Sequence, residues 1–222
     1  MNWVRPMGTA STLSATIAST DADFRAHSTR VTELATRLGQ VLGVPDRVEA
    51  AIRIGGPLHD VGKLEISEEI LAKPGPLEAH EIAEIRRHPV TGAAMVRPFR
   101  NLRPGLSCVL HHHERWDGGG YPHRLAGEAI PLEARILGVA DAWDAMISDR
   151  PYRDALATED ALAEVSRCSG TQFDPEVADA LLRLHEDQSV AQTSSLVRVR
   201  AITSSVNSEV VALPPRSDVL TP

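Results

Sequence analysis

The sequence has few aromatic residues and no long apolar run. Phe, Trp and Tyr make up 4% of the 222 residues, so aliphatic side chains must supply the core of a chain that is 42% hydrophobic. That composition favours helices. No stretch of about 18 apolar residues occurs, and no basic segment precedes an apolar one at the N-terminus. We therefore expect neither a membrane span nor a signal peptide, and a cytoplasmic protein.

Cysteine and basic residues are also scarce. Cys108 and Cys168 form no CxxC pair, which argues against a thiolate zinc site and a disulfide framework. Both are expected to be buried and reduced. The net charge of −7 argues against DNA or RNA as a partner, because nucleic-acid-binding proteins usually present a basic face. No GK[ST] or GxSxG motif is present, so neither an NTPase nor a serine nucleophile is predicted.

Alternation of polar and apolar residues is nearly absent before residue 190, which predicts an all-α helical bundle. The histidines and aspartates considered next would form a metal site in the core of that bundle. Pro57 should bend or break the second helix, and the Gly-rich segment 117–130 should be irregular. Residues 1–20 are expected to be a flexible lead-in, 21–187 the functional domain, and 188–222 a disordered Ser/Val/Pro-rich tail. A short strand or hairpin over 196–211 is the alternative for that tail. Helices are predicted over residues 21–43, 46–59, 78–88, 90–96, 102–115, 132–148, 159–169 and 175–185.

The nine histidines are many for this length, and several have acidic neighbours. Each alone has an ordinary explanation as a core or surface residue, but together they favour a metal centre. Imidazole and carboxylate ligands suit Fe, Mn, Zn or Co, and two metals about 3.5–4 Å apart would activate water towards a phosphoester. Asp141 is the strongest single signal, since a carboxylate in an apolar helix needs a partner or a metal. The candidates are Asp23, His27, His59, Asp60, His88, His112, His113 and Asp141.

Other residues suggest a phosphorylated ligand. Lys63 lies one helical turn after Asp60, where its charge would hold a phosphate oxygen. Arg150 and Arg153 would clamp a second phosphate, although a salt-bridged surface loop explains them equally well. In the segment 116–122, three glycines permit close approach to a ligand, and Trp116 and Tyr121 offer faces for base stacking.

Several motifs, in this order, resemble the HD-GYP family of the HD superfamily. Residues 59–63 read HDVGK, and residues 112–122 read HHERWDGGGYP. The Lys-Pro-Gly turn at 73–75, VADAWDAM at 139–146, DRPYR at 149–153 and Phe-Asp-Pro at 173–175 are similar too. The resemblance covers about residues 21–185. Members are bacterial phosphodiesterases that convert cyclic di-GMP to pGpG and often to GMP.

The resemblance implies roles for particular residues. Two or three divalent metals, iron or manganese, would be the cofactors. Trinuclear members have Glu one turn before the first-helix His; here the shorter Asp23 stands there, so a third metal at Asp23 and His27 would be weakly bound, bridged by water, or missing. Asp60 and Lys63 would be catalytic. The core metal ligands would be His59, Asp60, His88, His112, His113 and Asp141. The substrate-binding residues would be Lys63, Gly120, Tyr121, Pro122, Arg150 and Arg153.

Two alternatives stay open. The site would equally suit another cyclic dinucleotide such as cyclic GMP-AMP. A non-catalytic module that senses cyclic di-GMP or docks on a cyclase is the other. The expected partners are the cyclic dinucleotide, a diguanylate cyclase (GGDEF) domain or separate regulatory protein, and a second copy of the chain. Because 20 residues are too short for a sensor domain, either a partner chain regulates the protein or the sequence is a fragment.

Overall fold

The computed structural model describes residues 22–149 and 154–187. The chain divides into two units, Met1–Leu182 and Arg183–Pro222, and the first contains every described site residue discussed below. The described residues form helices and turns with no strand, which confirms the all-α prediction. The predicted lead-in and tail, including the alternative strand at 196–211, lie outside the described residues, and the domain boundaries stay predictions.

The helices of the first unit follow the predicted order. Residues 175–182 are also helical, as are residues 183–187 of the second unit. None of the helices in the described part of the chain is long and apolar enough to cross a membrane. The helices are α1 Ala22–Leu42, α2 Asp46–Gly55, α3 Glu68–Leu71, α4 Ala79–Ile85, α5 His88–Val96, α6 Leu106–His111, α7 Leu132–Ile147 and α8 Thr158–Cys168, with 3₁₀ turns at Gly56–Leu58, Val61–Glu65, Arg103–Gly105 and Gly127–Ala129.

The core lies where α1 packs against α7. Val31, Ala35 and Leu38 of α1 are fully buried and follow the i, i+4, i+7 spacing of one helix face. Ile136 and Leu137 of α7 are buried with them. Burial of each such large aliphatic side chain contributes roughly 1.5–3 kcal/mol. These contacts therefore fix the two helices that carry His27 and Asp141.

Pro57 breaks the second helix as predicted. Helix α2 ends at Gly55, and Pro57 lies in the first turn of the 3₁₀ segment that follows. His59 and Asp60 therefore lie in the short connection between two 3₁₀ turns, on no α-helix. This connection lies close to α5: a Cβ at Gly62 would collide with the His88 carbonyl oxygen, so only glycine permits the approach.

Two predicted helix boundaries are wrong. His88 was expected to close the helix over 78–88, but that helix ends at Ile85, and His88 instead begins α5. Pro89 is compatible with that position because the first turn of a helix needs no backbone N–H from it. The helix predicted over 102–115 also ends early, at His111. His112 and His113 thus lie just beyond a helix C-terminus, where they turn into the site.

Candidate metal centre

Three predicted ligands converge on one side of the Asp60 carboxylate and form a group of four with it. Asp60 Oδ1 lies 3.2 Å from His88 Nε2 and 3.9 Å from His112 Nε2. The two imidazole Nε2 atoms are 3.3 Å apart. His113 completes the group, in which one ligand atom from each residue lies within 4.8 Å of the others. Three imidazoles and a carboxylate are a ligand set for a transition metal.

A second group lies on the other side of the same carboxylate. His27, His59 and Asp141 form it, with Asp141 Oδ1 at 3.3 Å from His27 Nε2 and 3.8 Å from His59 Nε2. Asp60 Oδ2 is 3.5 Å from His59 Nε2 and 3.9 Å from His27 Nε2. Each oxygen of Asp60 therefore faces a different group, which is the arrangement of a bridging carboxylate.

The histidines are oriented by their other ring nitrogens. His59 Nδ1 donates to the Gly56 carbonyl at 2.7 Å, and His88 Nδ1 donates to the Ile85 carbonyl at 2.8 Å. His112 Nδ1 lies 3.0 Å from the carbonyl oxygen of Cys108. Since a carbonyl only accepts, each Nδ1 holds the proton and each Nε2 presents its lone pair to the centre. Outer hydrogen bonds of this kind fix the tautomer and angle of metal-binding histidines.

Two buried atoms support the metal fit directly. His59 Nε2 and Asp60 Oδ1 have no hydrogen-bond partner in the described structure, although His59 is fully buried and Asp60 is 3% exposed. A buried polar atom without a partner is costly. Cations between these atoms would satisfy both, so the residues fit a pair of divalent metals.

The electrostatics of the centre favour the protonation states that bind metals. Burial acts to raise the pKa of Asp60, but the ammonium group of Lys63 holds it well below its usual range. Burial lowers the pKa of His113 to about 4 and that of His112 well below its ordinary value. Near neutral pH Asp60 is thus anionic and His112 and His113 are neutral, which are the protonation states that bind metals.

Asp144 is a further residue of the site that was not predicted from the sequence. His27 Nδ1 donates to Asp144 Oδ2 at 2.8 Å, and Arg30 Nε donates to Asp144 Oδ1 at 2.6 Å. Burial acts to raise the pKa of Asp144, but the hydrogen bonds from His27 and Arg30 lower it to about 2. Burial acts to lower the pKa of His27, but its contacts with Asp141 and Asp144 raise it to about 9 in the metal-free protein. The sequence feature that could have indicated Asp144 is its position three residues after Asp141, on the same face of the helix.

The structure places Asp23 and Lys63 differently from the core ligands. Asp23 is exposed near the start of α1 and belongs to none of the groups of three or more metal-binding side chains among the described residues. Lys63 Nζ lies 2.5 Å from Asp60 Oδ2, with its side chain 32% exposed. Lys63 therefore stands between the centre and the solvent.

An open cleft of about 450 Å³ adjoins the centre. Trp116, Tyr121 and Arg135 line it together with His27, Lys63 and His113. Tyr121 stacks on His113, with ring centroids 4.9 Å apart and an interplanar angle of 30°. The volume is within the range of small-molecule sites.

The Gly120-Tyr121-Pro122 segment is held against the end of α6. A Cβ at Gly120 would meet backbone atoms of residues 113–115, so its lack of a side chain permits the contact. The buried Glu114 carboxylate accepts the backbone N–H groups of His123 and Leu125. Arg150 and Arg153, predicted to clamp phosphate, lie outside the described residues.

Residues 11–177 match the family model described as HD domain, and the chain belongs to that family. Its motifs and relatives define it further as a member of the HD-GYP type. It is 41% identical over 181 residues to the cyclic di-GMP phosphodiesterase response regulator RpfG of Xanthomonas campestris, covering 81% of this chain and 48% of the relative. It is 37% identical over 169 residues to a cyclic di-GMP phosphodiesterase of Thermotoga maritima, covering 75% and 46%.

Other relatives carry a different substrate in their names. The 3′3′-cGAMP-specific phosphodiesterase 2 of Vibrio cholerae is 36% identical over 173 residues, covering 77% of this chain and 33% of the relative. The chain thus spans half or less of the length of these curated relatives. Among solved structures, Bd1817, an HD-GYP protein from Bdellovibrio bacteriovorus, matches with a TM-score of 0.60 and 21% identity, over 81% of this chain and 58% of that one. That likeness shows the shared fold.

Proposed function

We propose that this chain is a metal-dependent phosphodiesterase that hydrolyses cyclic di-GMP to pGpG, with further cleavage to GMP as a second step. The single observation that supports this best is the Asp60 carboxylate, whose two oxygens face two separate groups of metal-binding side chains beside an open cleft. The cyclic di-GMP phosphodiesterases among the relatives support the substrate class.

Two divalent metals would be held by the residues of the two groups. His88, His112 and His113 would bind one, His27, His59 and Asp141 the other, and Asp60 would bridge them. When bound, such a pair supplies an activated water and stabilises charge on the phosphoryl oxygens. The mixed nitrogen and oxygen donors agree with iron or manganese. A third metal would need Asp23, whose exposed position gives it no support.

The protein's own residues would position the substrate. Lys63 lies at the solvent edge of the centre, where its ammonium group would pair with a phosphate oxygen as charge develops there. Trp116 and Tyr121 line the cleft and would stack against the guanine bases. Arg150 and Arg153 are proposed, from the sequence alone, to bind the second phosphate.

The substrate is tested by chromatography of the products. The metal-loaded protein is incubated with cyclic di-GMP and, separately, with cyclic GMP-AMP, and its metal content is measured on the same sample. Linear pGpG from the first substrate supports the proposal. Faster cleavage of cyclic GMP-AMP would support the second candidate, which the 3′3′-cGAMP-specific phosphodiesterases among the Vibrio cholerae relatives favour.

Replacing Asp60 tests whether the chain is instead a non-catalytic sensor or cyclase-docking module. Asp60→Ala should abolish turnover, because it removes the one carboxylate shared by both groups. Asp46→Ala, at the exposed start of α2, is the matched control and should behave as wild type. Binding of cyclic di-GMP without any turnover by the wild-type protein would favour the sensor.

The proposal also covers the compartment and the protein partners of the enzyme. The two cysteines are free thiols, which suits a reducing compartment such as the cytoplasm. A diguanylate cyclase domain would dock on the Gly120-Tyr121-Pro122 segment, and a second copy of the chain is the other proposed partner. Co-elution of the full chain with a cyclase domain in gel filtration tests the first of these.

A further inference from the structure

A third cluster of metal-binding side chains lies apart from the centre described above. It consists of His111, the last residue of α6, with Glu114 in the turn that follows and His123 directly after the Gly120-Tyr121-Pro122 segment. One ligand atom from each residue lies within 4.8 Å of the others. The cluster shares no residue with the two groups around Asp60.

The interior of this cluster has one polar atom without a partner and two carboxylate oxygens with room for a further ligand. His111 Nδ1 is buried and has no hydrogen-bond partner among the described residues. It lies 3.8 Å from Glu114 Oε1, beyond hydrogen-bond reach. The Glu114 side chain is 0% exposed, and the hydrogen bonds that its oxygens accept within the described part of the chain come from the backbone N–H groups of His123, at 2.7 Å, and Leu125, at 3.1 Å. Each carboxylate oxygen has a second lone pair for a further ligand.

A small cation would satisfy these atoms together. Ligands about 2.0–2.1 Å from a tetrahedral metal lie roughly 3.4 Å apart, so the 3.8 Å between His111 Nδ1 and Glu114 Oε1 needs only a slight contraction. The His111 and His123 rings already lie 5.2 Å apart. His123 is exposed, which gives a metal access from solvent and leaves water to complete its coordination.

We propose that His111, Glu114 and His123 form a separate site for one divalent metal of the zinc type. Two imidazoles and one carboxylate are an established ligand set for zinc with one open position. Bound metal would tie the loop that contains Tyr121 to the end of α6, directly beside His112 and His113. The site would therefore stabilise the position of this loop, which lines the cleft beside the main centre. The proposal does not depend on which substrate the main centre hydrolyses.

The site is tested by counting zinc in the full chain. Wild-type protein is loaded with excess Zn²⁺, separated from free metal by gel filtration and analysed by mass spectrometry. His123→Gln and His111→Gln should each hold one zinc fewer per chain than wild type. His80→Gln is the matched control, because His80 is an exposed histidine of α4 outside all three groups. An unchanged zinc count in His123→Gln overturns the proposal.

Hydrogen exchange separates this site from the main centre. Glu114 accepts the amide hydrogens of His123 and Leu125, so Zn²⁺ at the proposed site should slow their exchange in wild type. In His123→Gln, Zn²⁺ should leave the exchange of Leu125 unchanged. Equal slowing at Leu125 in wild type and His123→Gln would assign the effect to the main centre and overturn the proposal.

Discussion

Replacing Asp144 should loosen one metal group and spare the other. Asp144 is 4% exposed and accepts the Nδ1 proton of His27 at 2.8 Å, so it sets both the tautomer and the angle of that ligand. Losing an outer partner of this kind lowers metal affinity about 10- to 100-fold, or ~1.4–2.7 kcal/mol. Asp144→Asn keeps a neutral acceptor for His27, so its metal affinity should fall about tenfold. Asp144→Ala keeps no acceptor, so its metal affinity should fall about a hundredfold.

The assay is release of metal from the loaded protein by a chelator of graded concentration. Wild type should lose its two metals over a narrow range. In the Asp144 variants, one equivalent should leave at lower chelator concentration, while the metal at His88, His112 and His113 stays. Asp160→Asn, an exposed carboxylate of α8, serves as the control. If Asp144→Ala holds both metals as tightly as wild type does, or loses affinity equally for both, Asp144 does not position His27.

Three further predictions concern stability. Gly62→Ala should lower the free energy of unfolding by about 1–3 kcal/mol or more, because its methyl group would overlap the backbone of α5; urea unfolding measures this. Arg135→Met should cost ~3 kcal/mol in the same assay by leaving the buried Asp174 carboxylate, now 2.5 Å from Arg135, without its cation. Hydrogen bonding from Lys73 lowers the pKa of Glu81 below its ordinary 4.5, so this pair stabilises the fold above that pH and the stabilisation is lost as pH falls below it. The melting temperature of Glu81→Gln should accordingly lie below that of wild type at about pH 6 and converge with it near about pH 3; an unchanged difference would contradict this sign.

The helical periodicity of the sequence predicts the fold well and its short connections poorly. The α1 and α7 boundaries agree with the prediction within one residue at each end, because long apolar faces determine them. Residues around His88 and His112 were assigned to helices that end elsewhere. Just beyond the early end of α6, the backbone of Gly120 packs against residues 113–115, a contact that the local sequence pattern does not report.

Residues of the candidate centre could be predicted from the sequence where they lie in a recognisable motif. The sequence predicts six core ligands and His27, and the structure brings these seven side chains together in two groups. Three-dimensional contacts were needed for the rest. Asp144 belongs to none of the groups of metal-binding side chains found among the described residues, and it contacts His27 from 117 positions away. His123 is distant from His111 in sequence and reaches it only because the loop folds back.

X-ray absorption of the iron- or manganese-loaded protein tests most directly whether Asp60 joins two metals. We expect a metal–metal distance of about 3.5–4 Å in the wild-type protein and no such distance in Asp60→Ala. A wild-type spectrum with light ligand atoms alone and no second metal within that range would contradict it.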